Sequence, residues 1–256
     1  MSGFVADYAS ATVHPSPNFG VRRSGMRPDA VILHYTGMDS AEAAECRLCD
    51  PAAEVSAHYL VHEDGRVVQM VAEAARAWHA GRASWQGLSD VNSFSIGIEI
   101  VNPGHAGGYP DFPESQIAAV IALCRDICRR HGIAAHRVLA HSDVAPGRKV
   151  DPGEKFPWHR LAREGVGHYV APTPLRAGPS LAEGDEGEAV RTLQEMLARY
   201  GYGVETTGFF DSFTTTVVRA FQRHFRPARV DGIADVSTRD TLARLLAALP
   251  RGAASR

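Results

Sequence analysis

The chain has 256 residues, which at roughly 150 residues per domain predicts one medium domain and one small domain. A hydrophobic share of 45% with 22% charged residues is typical of a folded globular protein and excludes a disordered chain. The net charge of −2 excludes the basic surface that non-specific nucleic-acid binding requires. The longest apolar run, residues 117–124, is too short to cross a membrane, so we expect no transmembrane segment and no nucleic-acid partner.

The first 29 residues are rich in Pro, Ser and Gly and predict an irregular lead-in. They contain neither a basic segment nor the apolar stretch of a secretory signal peptide, so none is expected. Cys46 and Cys49 form a CxxC without a second one downstream, and Cys124 and Cys128 are four apart. We expect four free cysteines, which favours the cytoplasm, with the periplasm or the outer-membrane face as the alternative.

Residues 1–170 alternate between strand and helix patterns, which predicts an α/β domain with a mixed central sheet packed with helices. Strands are predicted at 30–35, 94–101 and 138–140, and a hairpin around Asp64-Gly65 at 55–62 and 66–71. Helices are predicted at 40–49 and 113–130. A Pro- and Gly-containing loop is predicted at 142–157.

Residues 171–180 contain three prolines and predict a linker to a second domain at 181–250. Apolar residues at helical spacing predict a small all-α domain with helices at 189–200, 213–225 and 238–249. Because a linker separates two predicted cores, we expect each domain to fold alone. Removing residues 175–256 should then leave the first domain intact. We expect a monomer.

Three polar residues lie where the predicted strands of the first domain end. His34 ends an apolar strand, His141 follows the last strand, and Asp151 lies beyond the predicted loop. Two neutral imidazoles and one carboxylate leave a fourth tetrahedral position open, which is the pattern of a catalytic zinc site. A histidine in a strand is also commonly a hydrogen-bonded core residue, and that alternative stays open here.

Two further charged residues are candidates for acid–base or electrostatic roles. Glu99 is a carboxylate in an otherwise apolar strand, where burial would raise its pKa towards that of a general base. The alternative is a salt bridge from Glu99 to a buried arginine. Lys149 would point to the same side as Asp151 in an extended segment. Its alternative is a solvated loop position.

Seven motifs occur in one order within residues 15–165. They are Ser16-Pro-Asn-Phe, Val31-Ile-Leu-His-Tyr-Thr, Val55-Ser-Ala-His-Tyr-Leu-Val, Ala77-Trp-His-Ala-Gly, Ser95-Ile-Gly-Ile-Glu, Ala140-His-Ser-Asp-Val-Ala-Pro-Gly-Arg-Lys-Val-Asp-Pro-Gly and Phe156-Pro-Trp. Together they closely resemble the type-2 N-acetylmuramoyl-L-alanine amidases, a zinc amidase superfamily that includes the peptidoglycan recognition proteins. The resemblance implies hydrolysis of the amide bond between N-acetylmuramic acid and L-alanine in peptidoglycan or muropeptides, in cell-wall turnover or recycling.

The resemblance also implies a role for each candidate residue. The implied Zn²⁺ ligands are His34, His141 and Asp151. Glu99 matches the general base and Lys149 the residue that stabilises the oxyanion. Of the remaining motif residues, Trp78 and His79 are expected to line the substrate cleft, and His58 to be a structural hydrogen-bonding residue.

Residues 181–248 separately resemble a three-helix peptidoglycan-binding domain, through motifs such as Gly201-Tyr202, Phe221-Gln222 and Asp231-Gly232-Ile233. Asp235-Val236 departs from that pattern, where a glycine is usual, and is expected to alter one turn. Two rival interpretations remain: a non-catalytic peptidoglycan receptor, which typically lacks a complete zinc triad, and a zinc hydrolase of another amide.

Overall fold

A computed structural model describes residues 4–250 of the chain. Its eight strands are β1 (Thr12–Val13), β2 (Phe19–Gly20), β3 (Ala30–Tyr35), β4 (Tyr59–Val61), β5 (Val67–Gln69), β6 (Arg76–Ala77), β7 (Ser95–Ile100) and β8 (Val138–Ala140). Six of them form a mixed sheet in the order β1-β5-β4-β7-β3-β8, and β2 pairs with β6. The four neighbouring strands β4, β7, β3 and β8, of which β8 is at the edge of the sheet, run parallel, so their carboxyl ends lie on the same side.

The predicted mixed sheet is confirmed, and the strand bounds differ mainly in the hairpin. Strands β3 and β8 have the predicted bounds, and β7 is one residue shorter at each end. The hairpin turns at Gly65, whose φ of 91° favours glycine. Its strands are only three residues each, and one hydrogen bond beyond each end continues the pairing, from the Met70 amide to the His58 carbonyl and from the His62 amide to the Arg66 carbonyl.

The helices are α1 (Ala41–Cys49), α2 (Val91–Phe94), α3 (Glu114–His131), α4 (His141–Val144), α5 (Trp158–Arg163), α6 (Glu188–Tyr200), α7 (Ser212–Phe225) and α8 (Val236–Ala248). The five longest agree with the prediction to within two residues at each end. Helix α3 packs its apolar face on one side of the sheet. Asp235, which lies where the resembled domain usually has a glycine, accepts a hydrogen bond from the Thr238 amide and so caps the N-terminus of α8.

Three short helices differ from the prediction. Helix α2 was not predicted, and its last residue, Phe94, was predicted to begin a strand. The segment predicted as a loop from 142 contains α4, which begins at His141 directly after β8. Helix α5 follows Pro157 and was not predicted. All three are shorter than two helical turns, and such segments carry no detectable apolar periodicity.

The structure contradicts the expectation of two separate cores. One buried apolar cluster includes residues from both sides of the predicted linker. From the first part it includes Ile32, Trp85, Val91, Phe94, Leu139 and Val144, and from the helical part Leu193, Tyr202, Phe210, Val217, Phe221 and Leu242. The Trp85 ring meets the Tyr202 ring edge-on, with centroids 5.1 Å apart. The linker itself is attached to α8, since Ser237 Oγ donates to the Thr173 carbonyl at 2.5 Å.

No helix within residues 4–250 combines the length and the apolar character that crossing a membrane requires. The four cysteines are free, as the sequence predicted.

Candidate active site

The structure brings His34, His141 and Asp151 together at the carboxyl edge of the sheet. His34 is next to last in β3, His141 begins α4 after the neighbouring strand β8, and Asp151 lies on the loop that follows. His34 Nδ1 lies 2.8 Å from His141 Nδ1, and Asp151 Oδ2 lies 3.2 Å and 2.9 Å from these two atoms. Three atoms that could each bind a metal ion, from three separate segments, therefore lie close together.

The hydrogen bond at His141 Nε2 determines whether Nδ1 carries a proton or a lone pair. His141 Nε2 lies 3.1 Å from the Ala80 carbonyl oxygen, which only accepts hydrogen bonds. The ring proton therefore resides on Nε2, and Nδ1 presents a lone pair to His34 and Asp151. Orientation of a ligand imidazole by a carbonyl on its far side is typical of metal sites.

A chain of hydrogen bonds places the ring proton of His34 on Nε2 in the same way. Ser95 Oγ donates to the Val91 carbonyl at 2.6 Å, so it accepts from His79 Nε2 at 3.1 Å. His79 Nδ1 then accepts from His34 Nε2 at 3.1 Å. The ring proton of His34 is therefore on Nε2, and Nδ1 presents a lone pair towards His141 Nδ1 and Asp151 Oδ2.

The charges at this point suit a cation. Burial, together with the neighbouring His141, lowers the pKa of His34 to about 4, so the ring is neutral near pH 7. The pKa of Asp151 lies well below its ordinary value, so this group is an ionised carboxylate near pH 7. Two neutral nitrogens and one carboxylate are a donor set that fits Zn²⁺. The three residues could therefore hold a metal ion.

Glu99 lies beside this triad with an unsatisfied carboxylate. In the β3–β7 ladder its register partner is His34, so both side chains are on the same face of the sheet. Glu99 Oε2 has no hydrogen-bond partner within residues 4–250. Burial raises the pKa of Glu99 well above 4.5, Asp151 raises it further, and Lys149 lowers it. The salt bridge to a buried arginine, which the sequence left open, is absent among the described residues.

A cavity of about 380 Å³ opens onto the triad. Glu99, Lys149, Trp78 and His79 all line it. The rim includes Arg47, which the sequence analysis missed because an arginine on a helix face carries no distinguishing signal. The site therefore has a carboxylate and a cation on the wall of an open cleft.

Gly97 and His58, which belong to two of the sequence motifs, have structural roles beside the candidate site. A Cβ on Gly97 would lie 2.3 Å from Cγ of His79, so only glycine at this position leaves room for that ring. His58 is fully buried and accepts from the Gly97 amide at 3.0 Å. It does not line the cleft, which agrees with a structural role.

Ligand atoms of this kind at the carboxyl edge of a mixed sheet, beside a half-buried carboxylate and an open cleft, fit the active site of a mononuclear metal-dependent hydrolase. Residues 24–154 match the family model described as N-acetylmuramoyl-L-alanine amidase, and residues 186–242 match a putative peptidoglycan binding domain. The chain belongs to the N-acetylmuramoyl-L-alanine amidase family.

Three relatives show how far the similarity extends. The amidase AmiD of Escherichia coli is 39% identical over 86% of this chain and 83% of its own length. Its structure, a complex with anhydro-N-acetylmuramic acid-L-Ala-D-gamma-Glu-L-Lys, has a TM-score of 0.73 at 37% identity, covering 88% of this chain and 91% of that one. AmpDh3 of Pseudomonas aeruginosa in complex with an anhydromuramic pentapeptide has a TM-score of 0.69 at 31% identity, covering 94% and 97%. The 1,6-anhydro-N-acetylmuramyl-L-alanine amidase AmpD of Citrobacter freundii is 34% identical over 60% of this chain and 89% of its own length.

Proposed function

We propose that this chain hydrolyses the amide bond between N-acetylmuramic acid and the L-alanine of a stem peptide. The observation that carries the proposal is the arrangement of His34, His141 and Asp151 beside the unpartnered carboxylate of Glu99 on one cleft. Membership of the amidase family supports the choice of bond.

We assign His34 Nδ1, His141 Nδ1 and Asp151 Oδ2 as the ligands of a zinc ion. When bound, zinc supplies Lewis-acid chemistry that polarises the amide carbonyl and makes water more acidic. The three ligand atoms, the neutral imidazole of His34 and the hydrogen bonds on the far side of each ring support this assignment.

The proton transfers are assigned to Glu99. Its carboxylate takes a proton from the attacking water and delivers it to the nitrogen of the departing L-alanine. The raised pKa and the lack of a competing hydrogen bond at Oε2 suit a group that must exchange protons with substrate. The Lys149 ammonium stabilises the oxyanion that forms at the carbonyl, a contribution of about 2.7–4 kcal/mol for one such donor.

Trp78 and His79 are assigned to the cleft wall, where the indole provides a flat surface for a sugar or peptide. His79 has a second role, because it also orients His34. We retain 1–170 as the amidase unit, 171–180 as a linker and 181–250 as the peptidoglycan-binding unit. The relatives crystallised with anhydromuramyl peptides favour soluble anhydro-muropeptides as substrates, and the second unit favours attachment to polymeric peptidoglycan.

The test is mass spectrometry of the products from soluble anhydro-muropeptides and from purified sacculi. We expect free peptides that begin with L-alanine, activity lost on treatment with a chelator and regained with one equivalent of zinc. His141→Ala should lose both metal and activity. A zinc-loaded chain that binds muropeptide without cleaving it would instead identify a non-catalytic peptidoglycan receptor, and cleavage of a different amide bond would overturn the substrate assignment.

A further inference from the structure

Asp143 is a fully buried carboxylate that joins the helical unit to the candidate metal site. Its Oδ2 accepts a hydrogen bond from the Ala140 amide at 2.9 Å, within the same short segment. Its other two partners come from the helical unit: Tyr202 Oη donates to Oδ1 at 2.7 Å, and His224 Nδ1 lies 2.6 Å from Oδ2. An ionised carboxylate only accepts, so His224 donates from Nδ1.

Packing holds both of these donors in place. The His224 ring is stacked between Trp158 and Phe225, with centroids 3.7 Å away on each side. The Tyr202 ring meets Trp85 edge-on, and both side chains are almost entirely buried. The two donors therefore reach Asp143 from fixed positions.

The Asp143 carboxylate restrains the main chain around His141. Its partner, the Ala140 amide, lies directly before His141, so the hydrogen bond fixes the end of β8 against the start of α4. The Ser142 amide, directly after His141, donates to the Asp151 carbonyl at 3.0 Å. Two of the three candidate ligands are thus connected through the segment that Asp143 braces.

We propose that Tyr202 and His224 are positioning residues for the metal site, which act by holding the Asp143 carboxylate and hence the Ala140–His141 main chain. The inference rests on the proposed function, since it assumes that His141 binds zinc. It gives the helical unit a part in forming the catalytic site, in addition to binding peptidoglycan. A buried carboxylate that loses one donor must move or take up water, and either change shifts the segment that carries His141.

The experiment measures zinc affinity, by competition with a chelating dye, in the full-length chain. Tyr202→Phe removes one hydroxyl and keeps the ring. His224→Leu removes the second donor, whereas His224→Asn keeps an N–H at the position of Nδ1. We expect about a tenfold weaker zinc affinity for Tyr202→Phe and for His224→Leu, with recovery in His224→Asn. In the same variants kcat should fall while KM stays unchanged.

Leu242→Ala is the matched control, because Leu242 is buried in the same cluster and is not one of the hydrogen-bond partners of Asp143. It should lower Tm at least as much as Tyr202→Phe and leave zinc affinity unchanged. The inference is overturned if Tyr202→Phe and His224→Leu bind zinc as tightly as the unmodified chain, or if Leu242→Ala weakens zinc binding equally. An unmodified chain that neither binds zinc nor cleaves muropeptides would instead overturn the proposed function.

Discussion

Glu99 combines a proposed catalytic role with an expected cost in stability. Its Oε2 atom is enclosed without a hydrogen-bond partner among the described residues, which is costly, and burial and Asp151 both raise the pKa of Glu99. Because the folded-state pKa is above 4.5, the metal-free fold should lose stability as the pH rises from 4.5 through that raised value. This cost in stability favours a role for Glu99 in proton transfer over a role in stabilising the fold.

Glu99→Gln should lower kcat by about 10²–10⁴-fold, the usual contribution of a positioned acid–base group, without loss of zinc. It should also raise the Tm of the metal-free chain at neutral pH, because the amide carries no charge. Metal analysis, kinetics and calorimetry measure the three effects. Glu195→Gln, at an exposed position of α6, is the control and should change none of them. Near-normal turnover in Glu99→Gln would show that the base is a different residue.

Lys149 should control the pH dependence of that base. Its positive charge lowers the pKa of Glu99, so Lys149→Gln should let that pKa rise. Since the carboxylate must be ionised to accept a proton, the acidic limb of the kcat/KM profile should move to higher pH. The same substitution at Lys155, which is paired with Asp111 and does not line the cleft, provides a control for net charge. A shift of the limb to lower pH would contradict this assignment.

Among the elements, strand β7 has two roles. It supplies Glu99, and at Gly97 it leaves the space that the His79 ring fills. The hydrogen-bond chain from Ser95 through His79 to His34 depends on this space, since the ring is held from both sides. Strand β7 therefore influences the candidate metal site because Gly97 has no side chain to displace the His79 ring.

Gly97→Ala tests this role of the strand. Its Cβ would displace the His79 ring, so we expect overpacking that costs about 1–3 kcal/mol and a weaker zinc affinity. Unfolding in denaturant and zinc titration measure the two effects. Gly20→Ala is the control, because a Cβ there meets no atom closer than 3.9 Å. If Gly97→Ala unfolds and binds zinc like the unmodified chain, the close approach has no influence on the site.

At the scale of the whole molecule, the shared apolar cluster makes the two units depend on each other. A chain that ends at residue 174 would expose Trp85, Val144 and Ala145, which the helical unit covers. Full burial of a large apolar side chain contributes about 1.5–3 kcal/mol, and a domain has only about 5–15 kcal/mol in total. The fragment would also leave Asp143 without two of its donors.

We therefore expect the fragment 1–174 to melt at a much lower temperature than the full chain and to bind a hydrophobic dye. Adding the fragment 175–256 should restore part of the stability and reduce dye binding. A fragment 1–174 that melts cooperatively within a few degrees of the full chain would show that the first unit folds alone. Its zinc affinity would then report directly on the contribution of Tyr202 and His224.

The elements and the candidate ligands were predictable because their signals are local. The strand 30–35 and the helices of the second unit have an apolar periodicity that any fold must bury. His34, His141 and Asp151 were recognisable from the motifs around them. Helix α4 was not, since its four residues are too few to show a period.

Only the tertiary structure decided how these parts act on one another. The contact of Asp143 with Tyr202 and His224 joins residues 59 and 81 positions apart, and no local pattern encodes such a pairing. The proton positions on His34 and His141 likewise depend on Ser95 and on the Ala80 carbonyl, which are remote in sequence. The sequence by itself determined which groups could do the chemistry, because residue type sets reactivity. The fold decided their orientation and their dependence on the helical unit, because burial and hydrogen bonding are properties of the folded chain.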